Sequence, residues 1–322
     1  MLIDIEAISN YISYNEPLSK HTTFKVGGSA DIFVSPPPPL LSFAAEKIIP
    51  YATQNGIPLF ILGGGSNVVF SDSGFKGIVL ASTLSNNEST LVMPPQNINL
   101  PPDCVTQNGE CLTFASAVPS DTAARKAQEL ALCGLEFMCG LPGTIGGAVR
   151  MNARCFDTSV SDRIVRVQIL DEKLQKVWVP FTSADWDYKK SPFQKDNILI
   201  LQAEFKLEKG NKETIQNKMN GFLAERECRG HFRFPSAGSV FKNNREHGKP
   251  AGKIIEDLGL RGTQIGGAQI APWHGNFIIN TGSARAADIA ALVQIVQRQA
   301  LQKMGLILET EIVFAPGNTS VA

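Results

Sequence analysis

The chain has 322 residues, of which 43% are hydrophobic and 19% charged, a composition typical of a globular protein with more than one domain. Thirty Lys and Arg residues balance thirty Asp and Glu residues, which gives no electrostatic reason to expect nucleic acid or an anionic membrane as a partner. No basic n-region, membrane-length apolar run or C-x-x-C pair occurs, so we expect a cytoplasmic protein without a signal peptide, metal site or disulfide framework.

The first 84 residues alternate strand and helix signals. "TTFKVGGSADIFVSP" at 22–36 predicts two short strands around a Gly-Gly turn, and a helix is predicted over 40–54. "IPLFIL" and "KGIVLAS" then predict strands, the first of them buried. This alternation predicts an α/β layer.

The middle of the chain opens with a polar, proline-paired stretch at 85–111, which we expect to be a long surface excursion. "SDTAARKAQELALCG" predicts a helix with Asp121 near its start and Gly134 after its end. Antiparallel strands are predicted in "RIVRVQIL", "KVWVPF" and "NILILQAEFKL".

From residue 209 the pattern predicts a charged helix to 229, a helix over 250–258, a Gly-rich turn region at 259–270, the strand "NFIIN" and a helix over 286–304. The core face of that last helix is predicted to carry Ile289, Leu292, Val293, Val296, Ala300 and Met304. "LILETEIVF" then predicts a central strand with Glu309, Glu311 and Val313 on one face.

Three consecutive glycines in "LGGGSNVVF" at 62–70 require an explanation. Val68 stands where a dinucleotide fingerprint needs its third glycine, strand residues follow instead of a helix, and no G-K-[ST] is present. Two interpretations remain, a glycine-rich turn or an anion-binding concavity of backbone N–H groups. A second run, "GLPGTIGGAV" at 140–149, favours a cofactor approached by backbone on two sides.

Eight segments then resemble, in register, the UDP-N-acetylenolpyruvoylglucosamine reductase (MurB) family. They are "KHTTFKVGGSADIF", "ILGGGSNVVFSDSGFKGIVL", "GLEFMCGLPGTIGGAVRMNA", "DYKKSPF", "PSAGSVFKN", "AGKIIEDLGLRGTQIGGAQI", "HGNFIIN" and "LETEIVF". The direct passage from "ILILQAEFKL" into the next helix resembles the second type of this family, which lacks a tyrosine-bearing loop.

The resemblance implies an α+β fold, the FAD-binding fold of the vanillyl-alcohol-oxidase and MurB type, with a C-terminal α+β substrate domain. The implied FAD-binding subdomains are 1–80, joined by the last strand at about 306–315, and 81–208. The substrate domain is then 209–305, and 316–322 forms a flexible tail. The implied FAD contacts come from both glycine runs, namely Gly63, Gly64, Gly65, Ser66, Asn67, Gly143, Thr144, Gly146, Gly147 and Ala148.

The implied reaction is the reduction of UDP-N-acetylglucosamine enolpyruvate to UDP-N-acetylmuramate by a monomer, with non-covalent FAD and with NADPH as co-substrate. Flavin N5 gives hydride to the terminal alkene carbon, and the neighbouring carbon then needs a proton. Ser239 matches the family's proton donor. Glu311 matches its catalytic glutamate, which donates a hydrogen bond in its protonated form.

The substrate contacts implied by the resemblance include one departure from the family pattern. "DYKKS" matches Y-R-x-S, so Tyr188 is implied in substrate binding, and Lys189 stands where an arginine grips the enolpyruvyl carboxylate. Lysine keeps the charge but loses the bidentate fork, and neighbouring Lys190 is an alternative to Lys189. Lys242, Asn243 and Arg229 match positions that contact the UDP-sugar.

A second departure is "MNARCFD", where Arg154 and Asp157 replace family glycines, which predicts a steric cost or a shifted loop. Two other functions remain open. One is a sugar or alcohol oxidase of the same fold, although "FILGGGSNV" lacks the histidine that such relatives use to attach flavin covalently. The other is a non-catalytic nucleotide-binding homologue, against which Ser239, Glu311 and "FKN" argue together.

Overall fold

The computed structural model of the protein describes residues 6–84, 100–194 and 198–315. Its α-helices within those ranges are α1 (Pro38–Gln54), α2 (Ser120–Glu129), α3 (Ile145–Arg150), α4 (Lys212–Cys228), α5 (Ala251–Asp257) and α6 (Ala286–Met304). Among these described residues, no helix is long and apolar enough to span a membrane.

The strands belong to three larger sheets and three two-stranded pairings. In chain order they are β1 (Ile12–Pro17), β2 (Ser29–Val34), β3 (Leu59–Leu62), β4 (Val68–Val69), β5 (Phe75–Ala81), β6 (Val105–Asn108), β7 (Cys111–Ala115), β8 (Leu132–Cys133), β9 (Arg154–Cys155), β10 (Thr158–Ser159), β11 (Ile164–Leu170), β12 (Lys176–Pro180), β13 (Leu199–Lys206), β14 (Glu208–Lys209), β15 (Ser236–Ser239), β16 (Gln264–Ile265), β17 (Ala268–Ile270), β18 (Phe277–Asn280) and β19 (Val313–Phe314).

Most strand pairs are antiparallel. The larger sheets have the orders β1-β2-β5-β3, β12-β11-β13-β7-β6 and β15-β18-β17-β16. Strands β3 and β5 run parallel, with Leu62 opposite Ala81, and β19 runs parallel to β4. Helices and largely antiparallel sheets confirm the α+β class.

The chain divides into two compact units, each with its own apolar core. Unit 1 comprises Met1–Tyr14, Ile32–Gly64 and Gly77–Glu225, and unit 2 comprises Asn15–Asp31, Gly65–Lys76 and Arg226–Ala322. In unit 1 the buried side chains of Leu112, Phe114 and Phe205 belong to one cluster, and those of α1 belong to another. In unit 2 the buried face of α6 packs with the apolar residues of α5 and β17.

Helix α6 is the best-predicted element. Both ends match the predicted bounds of 286 and 304. At the start of the helix the Asp72 carboxylate accepts the N–H groups of Ala286 and Ala287. At its end Gly305 adopts the left-handed conformation, at φ 68. The predicted stripe is buried from Ile289 to Ala300. Met304 is the exception, since as the last helical residue it is exposed.

One predicted strand is absent, and the predicted last strand is much shorter than expected. Thr22–Val26 forms no strand, because Lys25 has φ 55 and its N–H closes a turn onto the Thr22 carbonyl. The final strand is limited to Val313–Phe314. Before it, the N–H groups of Glu311 and Ile312 both point to the carbonyl of Val240, which interrupts regular pairing.

Other predictions need smaller changes. The second glycine run leads into α3, and the predicted turn region at 259–270 contains the hairpin of β16 and β17. Of the predicted excursion, 85–99 lies outside the described residues, and the remainder forms a short 3-10 turn and the start of the β6–β7 hairpin.

Candidate active site

In unit 1 the two glycine runs lie against each other. A Cβ on Gly64 would stand 2.6 Å from the Cα of Gly143, and one on Gly63 would stand 2.9 Å from the Thr144 hydroxyl. Real Cβ atoms do not make contacts this short, so a side chain at Gly64 would require a shift of backbone, and one at Gly63 a shift of the Thr144 side chain. The bare backbone at 63–64 is therefore required for packing, whatever else it binds.

The N–H groups at the start of α3 are already used. Ile145 and Gly146 donate to the carbonyls of Val118 and Ser116, and Gly147 donates to the Thr144 hydroxyl that caps the helix. Ala148 is buried and donates within the helix, to Thr144. The N–H groups of residues 145–148 all donate hydrogen bonds within the protein, so the first turn of this short helix has few donors left for a ligand.

Two features of the same unit nevertheless fit the implied cofactor. Within the described residues, the N–H groups of Gly63 and Gly64 donate no hydrogen bond. A Cβ on Gly147 would meet only the Thr144 hydroxyl, at 3.8 Å, so this glycine faces open space. Backbone donors and a bare glycine face suit a phosphate-bearing group such as FAD.

In unit 2 the remainder of the first glycine run holds the C-terminal segment. Gly65 has φ 62, and a Cβ there would stand less than 2 Å from the carbonyl oxygen of His21. Half-buried Ser66 follows. The Asn67 side-chain amide donates to the backbone carbonyl of Glu311 at 2.9 Å, so this amide holds the segment that carries Glu311.

Ser239 and Glu311 lie on neighbouring segments of unit 2. Ser239 ends β15 and pairs with Phe277 of β18, and the Glu311 N–H donates at 2.7 Å to the carbonyl of Val240, the residue after Ser239. Both side chains are half-buried. The fold thus brings together two segments, one carrying Ser239 and the other Glu311, that are far apart in sequence.

Asn276 is a residue of this site that the sequence reasoning missed. Its buried side chain accepts from the N–H of Phe241 at 2.9 Å and donates to the carbonyl of Phe241 at 2.8 Å. The N–H of Val240 donates to the Asn276 carbonyl. Asn276 therefore fixes the backbone immediately after Ser239. The available signal was an asparagine at the start of the predicted apolar strand "NFIIN".

His274 orients the same loop. The N–H of Asn276 donates to His274 Nδ1 at 3.2 Å, and the imidazole stacks on Phe277. Burial, followed by the charge of Arg229, lowers the pKa of His274. The neutral ring that results can accept this hydrogen bond.

The residues expected at the UDP-sugar have structural partners. Lys242 forms an ion pair with Glu309, and the Asn243 side-chain oxygen accepts the N–H of Ala251 at the start of α5. Arg229 is exposed. Glu309 therefore orients Lys242, whose side chain remains partly exposed.

In unit 1 the "DYKKS" segment forms a tight turn. Asp187 and Lys190 exchange both backbone hydrogen bonds, with Tyr188 and Lys189 between them. Tyr188 is exposed and Lys189 half-buried. Lys189 has φ 56, a left-handed conformation that favours glycine.

Arg154 does not carry the predicted backbone strain. It lies in β9, and the left-handed residues are Phe156 and Asp157, at φ 50 and 59, in the turn between β9 and β10. The Arg154 guanidinium pairs with Asp157, and the Phe156 ring stacks on Phe222 of α4 at 4.1 Å. This stacking offsets part of the cost of a left-handed phenylalanine.

Comparison with known families agrees with this architecture. A family model described as the C-terminal domain of UDP-N-acetylenolpyruvoylglucosamine reductase matches residues 230–315. A second model, described as an FAD binding domain, matches residues 44–173.

Whole-chain relatives are similar as well. A UDP-N-acetylenolpyruvoylglucosamine reductase of Treponema denticola is 39% identical over 316 residues, covering 94% of this chain and 93% of the relative. One of Borreliella burgdorferi is 39% identical over 302 residues, covering 92% of each chain. The crystal structure of the MurB enzyme of Thermus caldophilus superposes with a TM-score of 0.72 at 27% identity, covering 95% of this chain and 98% of the other.

Proposed function

The chain belongs to the UDP-N-acetylenolpyruvoylglucosamine reductase (MurB) family, and from this premise we propose how its own residues carry out the reaction. The protein is an FAD-dependent oxidoreductase of peptidoglycan precursor synthesis. It adds a hydride and a proton across the C=C bond of UDP-N-acetylglucosamine enolpyruvate to give UDP-N-acetylmuramate, and NADPH is oxidised. The fold is the FAD-binding fold of the MurB type.

Ser239 supplies the proton in this proposal, and Glu311 stabilises the charge that develops next to it. The observation that supports the assignment is the hydrogen bond from the Glu311 N–H to the carbonyl of Val240, the residue after Ser239. A hydroxyl is a poor acid, but a carbanionic carbon is basic enough to take its proton when the hydroxyl is held in line. Asn276 supplies that constraint through Phe241.

Lys189 binds the enolpyruvyl carboxylate in this proposal, and Tyr188 beside it contacts the substrate. The carboxylate delocalises the negative charge of the intermediate, so a nearby ammonium group favours the transition state more than the ground state. Lys242, Asn243 and Arg229 hold the UDP part of the substrate. The partly exposed ammonium of Lys242, oriented by Glu309, suits a diphosphate.

The cofactor contacts follow from the glycine runs. When bound, FAD supplies the transfer of hydride from NADPH to the substrate alkene. The contacts that unit 1 best supports are the N–H groups of Gly63 and Gly64, which have no acceptor in the described part of the chain, and the open face of Gly147. Gly65, Ser66, Asn67, Gly143, Thr144, Gly146 and Ala148 complete the proposed set, and most of them act by shaping the backbone.

We further propose the division of labour implied by the family. Residues 1–80 with 306–315, and residues 81–208, hold FAD, while 209–305 hold the substrate. The protein acts as a monomer in the cytoplasm, without nucleic-acid or membrane partners.

The decisive experiment separates the two half-reactions of the purified holoenzyme. Anaerobic NADPH should bleach the flavin absorbance, and the enolpyruvyl substrate should restore it. Ser239→Ala should leave bleaching intact and slow restoration by roughly 10²–10⁴-fold, the usual contribution of a proton donor. Ser236→Ala, in the same strand, is the control and should restore the flavin at the wild-type rate.

Other outcomes would reject parts of the proposal. Loss of both half-reactions in Ser239→Ala would remove the serine from its assigned step. Restoration of the wild-type flavin by oxygen alone would indicate an oxidase. A purified protein that binds no flavin would contradict FAD dependence.

A further inference from the structure

The lysine turn, defined as Asp187–Lys190, has an unfavourable residue at its strained position. Its central residues are Tyr188 and Lys189, and only the second is left-handed, at φ 56. A turn of this kind normally carries glycine or asparagine there, because a Cβ crowds the following backbone. Lysine at this position indicates that its side chain is needed.

Two side chains from outside the lysine turn hold its backbone. The Gln194 side-chain amide donates to the carbonyl of Lys189 at 2.9 Å. The Asn152 side-chain amide donates to the carbonyl of Asp187 at 2.8 Å. Asn152 is buried, and its own oxygen accepts the N–H of Ser161 at 3.0 Å. The carbonyls on both sides of Tyr188 and Lys189 are thus fixed.

The chain that follows the lysine turn is fixed in the same way. The Arg150 guanidinium donates to the carbonyls of Phe193 and Gln194, at 2.7 and 3.1 Å. The Ser191 hydroxyl donates to the carbonyl of Arg150 at 2.7 Å. Residues 191–194 are therefore tied to the end of α3, which gives the Gln194 side chain a rigid base.

We infer that Gln194 and Asn152 are positioning residues that hold Lys189, rather than Lys190, in a strained turn so that its ammonium group meets the substrate carboxylate. Lys189 is half-buried and Lys190 exposed. An ammonium group lacks the planar fork by which arginine fixes a carboxylate. A rigid backbone supplies the missing directional constraint. This inference rests on the proposed function, in which Lys189 binds the enolpyruvyl carboxylate.

Calorimetric titration of the oxidised holoenzyme tests the inference with two ligands. UDP-N-acetylglucosamine enolpyruvate carries the carboxylate, and UDP-N-acetylglucosamine does not. Gln194→Met removes the amide donor and keeps the side-chain length. It should lower the affinity for the enolpyruvyl ligand about tenfold and change the affinity for UDP-N-acetylglucosamine by less than about twofold, because only the charge-assisted contact is loosened.

Gln107→Met is the matched control, because the Gln107 amide likewise donates to a turn carbonyl, that of Gly109, at 3.0 Å. It should change neither affinity. If Gln194→Met does not fold, Gln194→Asn retracts the amide by one methylene and should give the same carboxylate-specific loss. If the Gln194 variant lost affinity for both ligands equally, or lost none, the inference would be overturned.

Two further variants separate this inference from the proposed function. Lys189→Gly should abolish the preference for the carboxylate ligand and leave the thermal midpoint unchanged or higher, because glycine relieves the strain. Lys190→Ala should keep the preference for the carboxylate ligand and the wild-type thermal midpoint. If Lys189→Gly loses the preference and Gln194→Met keeps it, only the positioning role fails. If Lys190→Ala loses it and Lys189→Gly does not, the assignment of Lys189 fails as well.

Discussion

Gly56 and Gly65 have nearly the same left-handed backbone, at φ 60 and 62, in different surroundings. A Cβ at Gly56 would meet nothing within 4 Å, whereas one at Gly65 would overlap the carbonyl oxygen of His21. The first position therefore needs glycine for its conformation alone. The second needs it for conformation and for space.

This difference gives a prediction at the residue scale. Gly56→Ala should lower the free energy of unfolding by about 1–2 kcal/mol, the cost of a left-handed alanine. Gly65→Ala should cost at least about 2 kcal/mol more, because backbone must also move. Urea denaturation of both variants measures the difference. Equal losses would mean that the close approach to His21 has no energetic consequence.

At the scale of elements, the segment Val240–Lys242 is held from two sides. The chain at 309–312 bonds to it through backbone groups, including Lys242 N–H to the carbonyl of Glu309 at 2.9 Å. On the other side the Asn276 side chain satisfies both backbone groups of Phe241. One buried amide thus replaces a missing strand partner.

Asn276→Ala should therefore be strongly destabilising. It leaves a buried N–H and a buried C=O without partners, at about 1–3 kcal/mol each. Asn55→Ala is a suitable control, since the exposed Asn55 amide donates to one helical carbonyl and its loss should cost about 0.5 kcal/mol or less. Chemical denaturation measures both. If the two variants were equally stable, Asn276 would not hold the Ser239 segment.

At the scale of the whole molecule, a balanced formal charge coexists with a locally basic environment around two half-buried histidines, His231 and His274. His231 contacts the edge of the Phe277 ring. Burial, then the charges of Arg226, His274 and Arg229, lower the pKa of His231 from 6.5 to about 3. The folded protein thus keeps this ring neutral at pH values where an unfolded chain protonates it.

Stability should therefore fall as the pH decreases from about 6.5 towards about 3. The unfolded state takes up the proton first, so at pH 5.5 His231 alone should lower the free energy of unfolding by roughly 1–1.5 kcal/mol relative to pH 7.5. Urea titrations at the two pH values measure this loss. His231→Phe should reduce it by that amount. An unaltered pH dependence in His231→Phe would contradict the assignment.

Several features could be predicted because they depend on nearby residues. The start and end of α6 follow from an apolar period of 3.6 and a glycine at its end. The antiparallel strands β11, β12 and β13 follow from short connections between β-branched runs. Family membership also follows from sequence, because eight motifs in register exceed what any single motif could indicate.

The details of the site could not be predicted in this way. Nothing in the sequence indicated that the Asn67 amide donates to the carbonyl of Glu311, 244 residues away. The predicted last strand is interrupted because two of its N–H groups meet one carbonyl of Val240. Asn276 carried no signal strong enough to single it out. Each outcome depends on which backbone groups meet across the fold.

By itself, the sequence determined the family, the reaction and most elements of this protein, since local periodicity and motif order are properties of neighbouring residues. Only the tertiary structure decided which N–H groups of the glycine runs are already used, how Ser239 comes to lie beside Glu311, and how the lysine turn is held. The physical reason is that polar groups buried by folding must find partners. Those partners are chosen by three-dimensional packing, as the bond between Asn152 and Asp187 shows.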